Sequence, residues 1–338
     1  MESDSELDYL AGVTSEFKTK DTRIPVTIGG ARYRQDPDHW YDDGNVILIA
    51  GETAFRFFKS ILSKRSQVMK DMLDLSQRTT INRTHFEGVP AVQLDDNPRY
   101  FSLLLDAILP RDSANHPISE KLGPGSLIGV ARIAKKYQVN DVVARAGSIL
   151  ENILPTKQQP GKKIFAWTGS YAIPRCVHII NWARFCGLPQ FLPLPLYFLA
   201  TNEWDFESED GDIETLKVFH RLSPQDQLRI HRGRVNLQAL MAQIGIPEWR
   251  KECRNHGCGM GQYGPRWKSS TGTRRRTLFL HPLEELENRE SGYMFHDLCS
   301  GCSEAFAVSN RAMKNQVLDE LDSCFDLDDE ESKLGGCP

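Results

Sequence analysis

Residues 45–75, NVILIAGETAFRFFKSILSKRSQVMKDMLDL, decide the fold of the first half of this chain. Residues 46–49 are an apolar, largely β-branched run, the composition that suits a pleated and buried strand. Gly51, Glu52 and Thr53 supply a turn, and Phe55, Phe57 and Phe58 make a second apolar strand, so the stretch predicts a hairpin. Helical spacing then takes over. Ile61 and Leu62 stand one turn before Arg65 and Ser66, while Val68, Met69, Met72 and Leu73 share one face of a second short helix.

Working outward, Val92, Gln93 and Leu94 read as a further short strand. The following Asp95-Asp96-Asn97-Pro98 is a turn into a helix, with Asn97 as its cap and Pro98 at its first position. Tyr100, Phe101, Leu104, Leu105 and Ile108 give that helix an apolar face. After a polar loop over residues 111–125, Leu127, Val130, Ala131, Ala134 and Tyr137 keep a period near that of a helix, as do Val142, Val143, Ala146, Ile149, Leu150 and Ile153. Upstream, residues 1–37 are mixed and polar and predict a flexible N-terminal arm, with one strand over residues 24–28.

The order strand, turn, strand, K-x-I-L-x-x-x-S over residues 59–66, then amphipathic helix, resembles the opening of BTB/POZ domains, above all their divergent fungal, basidiomycete-like type. The strand at Val92 looks like the family's third strand, and A-x-K-Y-x-V over residues 134–139 is similar to its fourth helix. The resemblance spans residues 38–154. Two positions depart from it: residues 55–59 read Phe-Arg-Phe-Phe-Lys where many members have F-x-V-H-K, and Asn45 stands where many have Asp. These swaps leave the fold expectation intact and loosen any transfer of function from the animal transcription-factor branch. The resemblance implies a non-enzymatic protein–protein interaction scaffold or adaptor. Members oligomerise, often as homodimers, or recruit cullin ubiquitin ligases. Ile118-Ser119-Glu120 resembles the hydrophobic-x-Glu element of cullin-binding members.

A chain of 338 residues has room for a second domain. Residues 155–163, PTKQQPGKK, read as a linker, and residues 164–247 as a helical region. Its helices are expected over residues 174–186 and 192–200 and after Ser223-Pro224, where Leu228, Val235, Leu237, Leu240 and Met241 are the apolar positions. The stretch over residues 187–197 resembles the helical segment that follows the domain in fungal relatives. Between these helices residues 203–214 carry seven acids and read as an exposed loop. Residues 319–338 are an acidic tail, expected to fray because acids at a helix C-terminus oppose its dipole. The fold class expected is α+β: the BTB/POZ-like domain, an all-α region, and a small module over residues 248–318.

That last module is read from its cysteines. Cys253 and Cys258 form one close pair, Cys299 and Cys302 a second, forty residues apart. Four thiolates at such spacing are a donor set for structural zinc, which takes four tetrahedral sulfur or imidazole ligands. His256 stands as a substitute for Cys253 or Cys258, within reach of the same ion. Gly257, Gly259, Gly261 and Gly301 offer the backbone freedom that metal knuckles need. The second pair leads into a helix over residues 303–321, an order that resembles zinc-ribbon or treble-clef construction. Cys176 and Cys186 fall on an apolar helix and read as core, and Cys324 and Cys337 as free thiols of the tail.

A net charge of −4 argues against a globally basic nucleic-acid binder. The exception is the loop with Arg266, Trp267, Lys268 and Arg274-Arg275-Arg276, which supplies the alternative reading: a nuclear regulator whose zinc module and arginine-rich loop bind nucleic acid. The first residues carry acids where a signal peptide needs basic and apolar ones, and the longest apolar run, residues 192–200, is too short for a membrane span. The expectation is a cytoplasmic or nuclear chain with protein partners. No phosphate loop, nucleophile elbow or HExxH pattern occurs, so no catalytic residue is assigned.

Overall fold

A computed structural model of the chain describes residues 24–78, 84–110, 116–158, 172–202, 217–244, 253, 258, 280–290 and 299–327. The chain divides between Leu154 and Pro155 into two compact units, and the protein mixes helices with a six-stranded sheet.

The expected hairpin is the centre of that sheet. Strand β3 (Val46–Ala50) pairs antiparallel with β4 (Thr53–Phe57), and every residue of β3 is buried. Because successive side chains of a strand point to opposite faces, such a hairpin must be covered twice. Helices cover one face. Phe55 stacks edge-on against Phe101 at 5.3 Å, which in turn meets Tyr137 at 6.1 Å. These rings join the sheet to a helical layer of α1 (Lys59–Arg65), α2 (Gln67–Arg78), α3 (Pro98–Ile108), α4 (Pro124–Lys136) and α5 (Asn140–Ile153).

The second face is covered by the sheet itself. Ile47, Ile49 and Ala54 pack with Val26, Ile28, Tyr33, Trp40, Phe86, Val89 and Ala91, all of them strand residues. The remaining strands are β1 (Pro25–Ile28), β2 (Ala31–Trp40), β5 (Thr84–Phe86) and β6 (Val89–Leu94), in the spatial order β1-β2-β4-β3-β6-β5. Trp40 on β2 nevertheless lies 6.0 Å from Phe86 on β5, so the sheet curls until its two ends approach. Gly29, at φ +59°, marks the meeting: a Cβ there would stand 2.5 Å from the Thr84 methyl. The arm expected to be flexible up to residue 37 is therefore corrected, since residues 25–40 belong to the sheet. Their apolar side chains are sparse because the curl needs only one narrow row of them.

Local contacts account for Asn45 and Phe58. The Asn45 side chain accepts the Lys59 N–H at 2.8 Å, capping α1 from a distance where Phe58 has no side-chain acceptor to offer. Phe58 packs against Tyr41 at 5.0 Å. Ser66 accepts the Met69 N–H at 3.0 Å and donates to the Tyr137 carbonyl at 2.6 Å, so one hydroxyl starts α2 and ties it to the end of α4. Asn97 caps α3 on Arg99 N, with Pro98 in its first turn, as expected. Ile118 is fully buried, and its carbonyl accepts Arg145 Nε at 2.7 Å.

The described second unit is helical: α6 (Ala172–Cys186), α7 (Pro193–Thr201), α8 (Pro224–Ile244), α9 (Pro282–Glu290), α10 (Ser300–Asp319) and α11 (Leu321–Cys324). Ser223 Oγ accepts the Asp226 N–H and starts α8. Asp226 is itself buried, holding Arg184 of α6 at 2.6 Å and Arg229 at 3.3 Å. This ion pair rotates α8 away from the expected apolar face. Leu237 and Met241 are buried, but Leu228 and Val235 are exposed, and the inward stripe instead runs through Asp226, Ile230 and Gly233.

Gly233 receives Phe325. A Cβ at Gly233 would lie 2.0 Å from that ring, and Asn236 Nδ2 donates to the Cys324 carbonyl at 2.9 Å. Leu321, Cys324, Phe325 and Leu327 are all buried, so residues 321–327 dock through these positions where the sequence predicts a fraying tail. Their acids cost little, because the apolar positions between them dock on α8. Residues 203–214, 266–276 and 328–338 lie outside the described residues.

Gly233→Ala is expected to destabilise the second unit by about 1–3 kcal/mol through overpacking, and Phe325→Ala by about 3–5 kcal/mol through the cavity it leaves. Chemical denaturation should find the double variant markedly less damaged than the sum, because the two side chains share one space.

Candidate metal centre

The four predicted cysteines come together. The sulfurs of Cys253, Cys258, Cys299 and Cys302 all lie within 4.8 Å of one another, and Cys253 Sγ stands 3.6 Å from Cys299 Sγ. A tetrahedral ion with metal–sulfur bonds of about 2.3 Å separates its sulfurs by about 3.8 Å. The donors thus already stand near the spacing such an ion requires. A disulfide would need about 2.05 Å, and none of the seven described cysteines forms one.

Helix α10 positions half of the set. Cys299 is its N-cap, in extended conformation, and Cys302 falls in the first turn, so both sulfurs project from the helix end where backbone dipoles favour negative charge. The Cys299 N–H donates to Cys258 Sγ at 3.2 Å, a bond that orients one ligand and offsets its charge. Gly301 is part of the helix, with no left-handed backbone, so it serves no knuckle turn as the sequence suggested. Cys258 is buried and the other three are half-buried. Hydrogen bonding to Cys253, burial, and the neighbouring Cys299 and Cys258 push the Cys302 thiol up to about 12. Binding an ion would release the Cys302 proton.

The far end of the support is equally defined. Asn310 on α10 donates to the Leu286 carbonyl of α9 at 2.7 Å, Lys314 pairs with Glu287, and the Leu283 N–H bonds the buried Tyr197 hydroxyl at 3.0 Å. The cluster therefore sits on a helix clamped along its length. His256, the proposed substitute ligand, lies outside the described residues, as do the arginines of the basic loop. Cys176 and Cys186 are buried core residues of α6, as expected.

A second polar cluster, in the first unit, was passed over in the sequence. Between Gln35 and Trp40, β2 advances five positions while β4 advances two. The excess forms a bulge whose backbone bonds go to a side chain: Asp36 Oδ1 accepts from Asp38 N at 3.1 Å and from His39 N at 3.0 Å. The same oxygen meets His39 Nδ1 at 2.8 Å. Asp106 of α3 lies 3.3 Å from Nε2, off the line of a good hydrogen bond, and Ser102 Oγ lies 3.3 Å from Nδ1. Burial opposes the charged imidazole, but Asp106 and Asp36 together outweigh it and raise its pKa. Ser, His and Asp are thus adjacent without making a nucleophile: Nδ1 already gives its proton to Asp36, so it has no lone pair for Ser102. The sequence signal was Asp36-Pro37-Asp38-His39, a carboxylate three residues before a histidine across a proline.

No helix among the described residues is long and apolar enough to cross a membrane. No protein-family model matches this chain, and no curated protein matches it significantly.

Because the folded pKa of His39 is raised, the clamp's contribution to stability is full below the ordinary histidine value of 6.5 and is lost as pH rises through the folded value. Urea denaturation of the first unit across this range should show stability falling with rising pH. His39→Asn should flatten that slope, and a slope of the same steepness in the variant would assign it elsewhere.

Proposed function

We propose that this chain is a non-enzymatic interaction scaffold, with a BTB/POZ-like first unit and a second unit held by structural zinc. The observation that carries the reading is that both polar clusters are closed. Four sulfurs saturate a tetrahedral ion and leave no position for a reactive water, and the His39 imidazole is bound to Asp36 through Nδ1 and faces the Asp106 carboxylate with Nε2. Zinc fits the sulfur set because soft thiolates in tetrahedral array select it over the harder divalent cations. The BTB/POZ-like assignment is supported by the order of elements: a hairpin, two short helices joined at Ser66, a strand parallel to the hairpin, then three helices.

Partners would meet the helical layer. The ends of the curled sheet approach at Gly29 and Thr84, which narrows the access to its edge strands. Cullin recruitment through residues 118–120 finds no support in this geometry, because Ile118 is fully buried and cannot present the apolar anchor. Self-association, or docking of another protein on the helices, is the form the proposal takes.

Two measurements decide it. Elemental analysis should find one zinc per chain, with X-ray absorption reporting four sulfur neighbours at about 2.3 Å. Cys299→Ser combined with Cys302→Ser should abolish retention. Undamaged protein without stoichiometric metal, or a metal with an oxygen ligand, refutes the zinc half. Light scattering on the full chain should give a mass that rises with concentration above 38.4 kDa. A mass fixed at that value, with no protein partner retained, refutes the scaffold half.

A further inference from the structure

The four cysteines of the metal centre are not equivalent, and their differences point to a second chemistry. Cys258 is buried, while Cys253, Cys299 and Cys302 are half-buried. Cys258 Sγ also accepts the Cys299 N–H at 3.2 Å, a hydrogen bond that draws charge from the sulfur and makes it a poorer nucleophile. Cys253 and Cys299 are the opposite case. Both still reach solvent, and their sulfurs stand in contact at 3.6 Å. Cysteine oxidation selects accessible sulfurs that have a second thiol poised beside them.

The place of this pair in the chain matters as much as its exposure. Cys253 and Cys299 are 46 residues apart, so a bond between them would replace the ion as the link between two segments. Cys299 and Cys302 share the start of α10, and a bond between those two would leave Cys253 outside the link. The helix beneath takes its support elsewhere. Asn310 donates to the Leu286 carbonyl at 2.7 Å, Lys314 pairs with Glu287, and the Leu283 N–H bonds the Tyr197 hydroxyl at 3.0 Å. No sulfur takes part in these bonds, so loss of an ion from the cluster leaves α10 clamped to α9.

We propose that Cys253 and Cys299 are an oxidative modification site, at which a peroxide converts the zinc centre to a disulfide and expels the ion. This rests on the zinc reading and adds regulation to it. A peroxide oxygen passes to one sulfur of the pair, the O–O bond breaks and hydroxide leaves, giving a sulfenic acid. The other sulfur attacks the oxidised one, the S–S bond forms and a second hydroxide leaves. The two sulfurs lose two electrons to the peroxide, and both hydroxides take up protons to become water. An ion left with two sulfur ligands departs as the divalent cation, and Cys258 and Cys302 each take a proton from solvent.

The test uses the full chain, assayed first for zinc and then titrated with hydrogen peroxide beside a chromophoric zinc chelator. Bound zinc should fall from one per chain to almost none, with one peroxide consumed for each ion released. Peptide mapping without reductant should find Cys253 joined to Cys299. Far-ultraviolet circular dichroism should keep its helical signal, and dithiothreitol with added zinc should restore the metal. A chain purified without zinc overturns the zinc reading and this proposal together. A chain that carries zinc and keeps it under peroxide overturns the proposal alone, as does one that loses zinc with Cys253 joined elsewhere, with no disulfide, or with loss of its helical signal.

Discussion

The double burial of the β3–β4 hairpin is the constraint on which the first unit depends. A strand such as VILIA has apolar side chains on both faces, and burying each large one contributes about 1.5–3 kcal/mol, so neither face can be left to water. Helices carrying Phe101 and Tyr137 satisfy one side. The other is satisfied by curling the sheet over itself, which draws the N-terminal hairpin into the core and brings Trp40 to Phe86. Once that curl exists, β2 must follow a surface it cannot pair with throughout, and its ladder to β4 breaks between Gln35 and Trp40.

The His39 cluster is the consequence of that break. Backbone groups released from a ladder need other partners when they are buried, and Asp36 supplies them from its own side chain. The imidazole then carries the connection to α3, where a strand would have used hydrogen bonds to its neighbour. Carboxylates from two elements face the ring and favour its charged form against burial. The same bulge leaves Asp36 in the lining of a cavity.

The second unit solves a different problem. Its helices are short on continuous apolar stripes, and its core is completed by specific insertions: Phe325 on Gly233, and a buried Asp226 held by two arginines. The cysteine cluster joins residues far apart in the chain to the start of α10. An ion held there, as proposed, would cross-link these segments.

Much of this was legible without coordinates, for local reasons. The apolar β-branched run at residues 46–49, the Asn97-Pro98 helix start and the paired cysteines each express chemistry complete within a few residues. What the sequence hid was decided by distant partners. Residues 31–37 read as part of a polar arm because the apolar positions of this strand serve a core formed only when the sheet curls, and Asp36 and His39 acquire meaning from Asp106, sixty-seven residues beyond His39. The acids around Leu321 and Phe325 suggested a solvated tail, and only the missing side chain at Gly233 makes room for that ring. The sequence by itself determined which segments could be strands, helices and metal ligands, because propensity, capping and ligand chemistry are properties of residues and their near neighbours. Tertiary structure alone decided which polar residues are buried, which apolar ones are left outside, and where a cavity remains, because burial depends on what the rest of the chain brings to the same place.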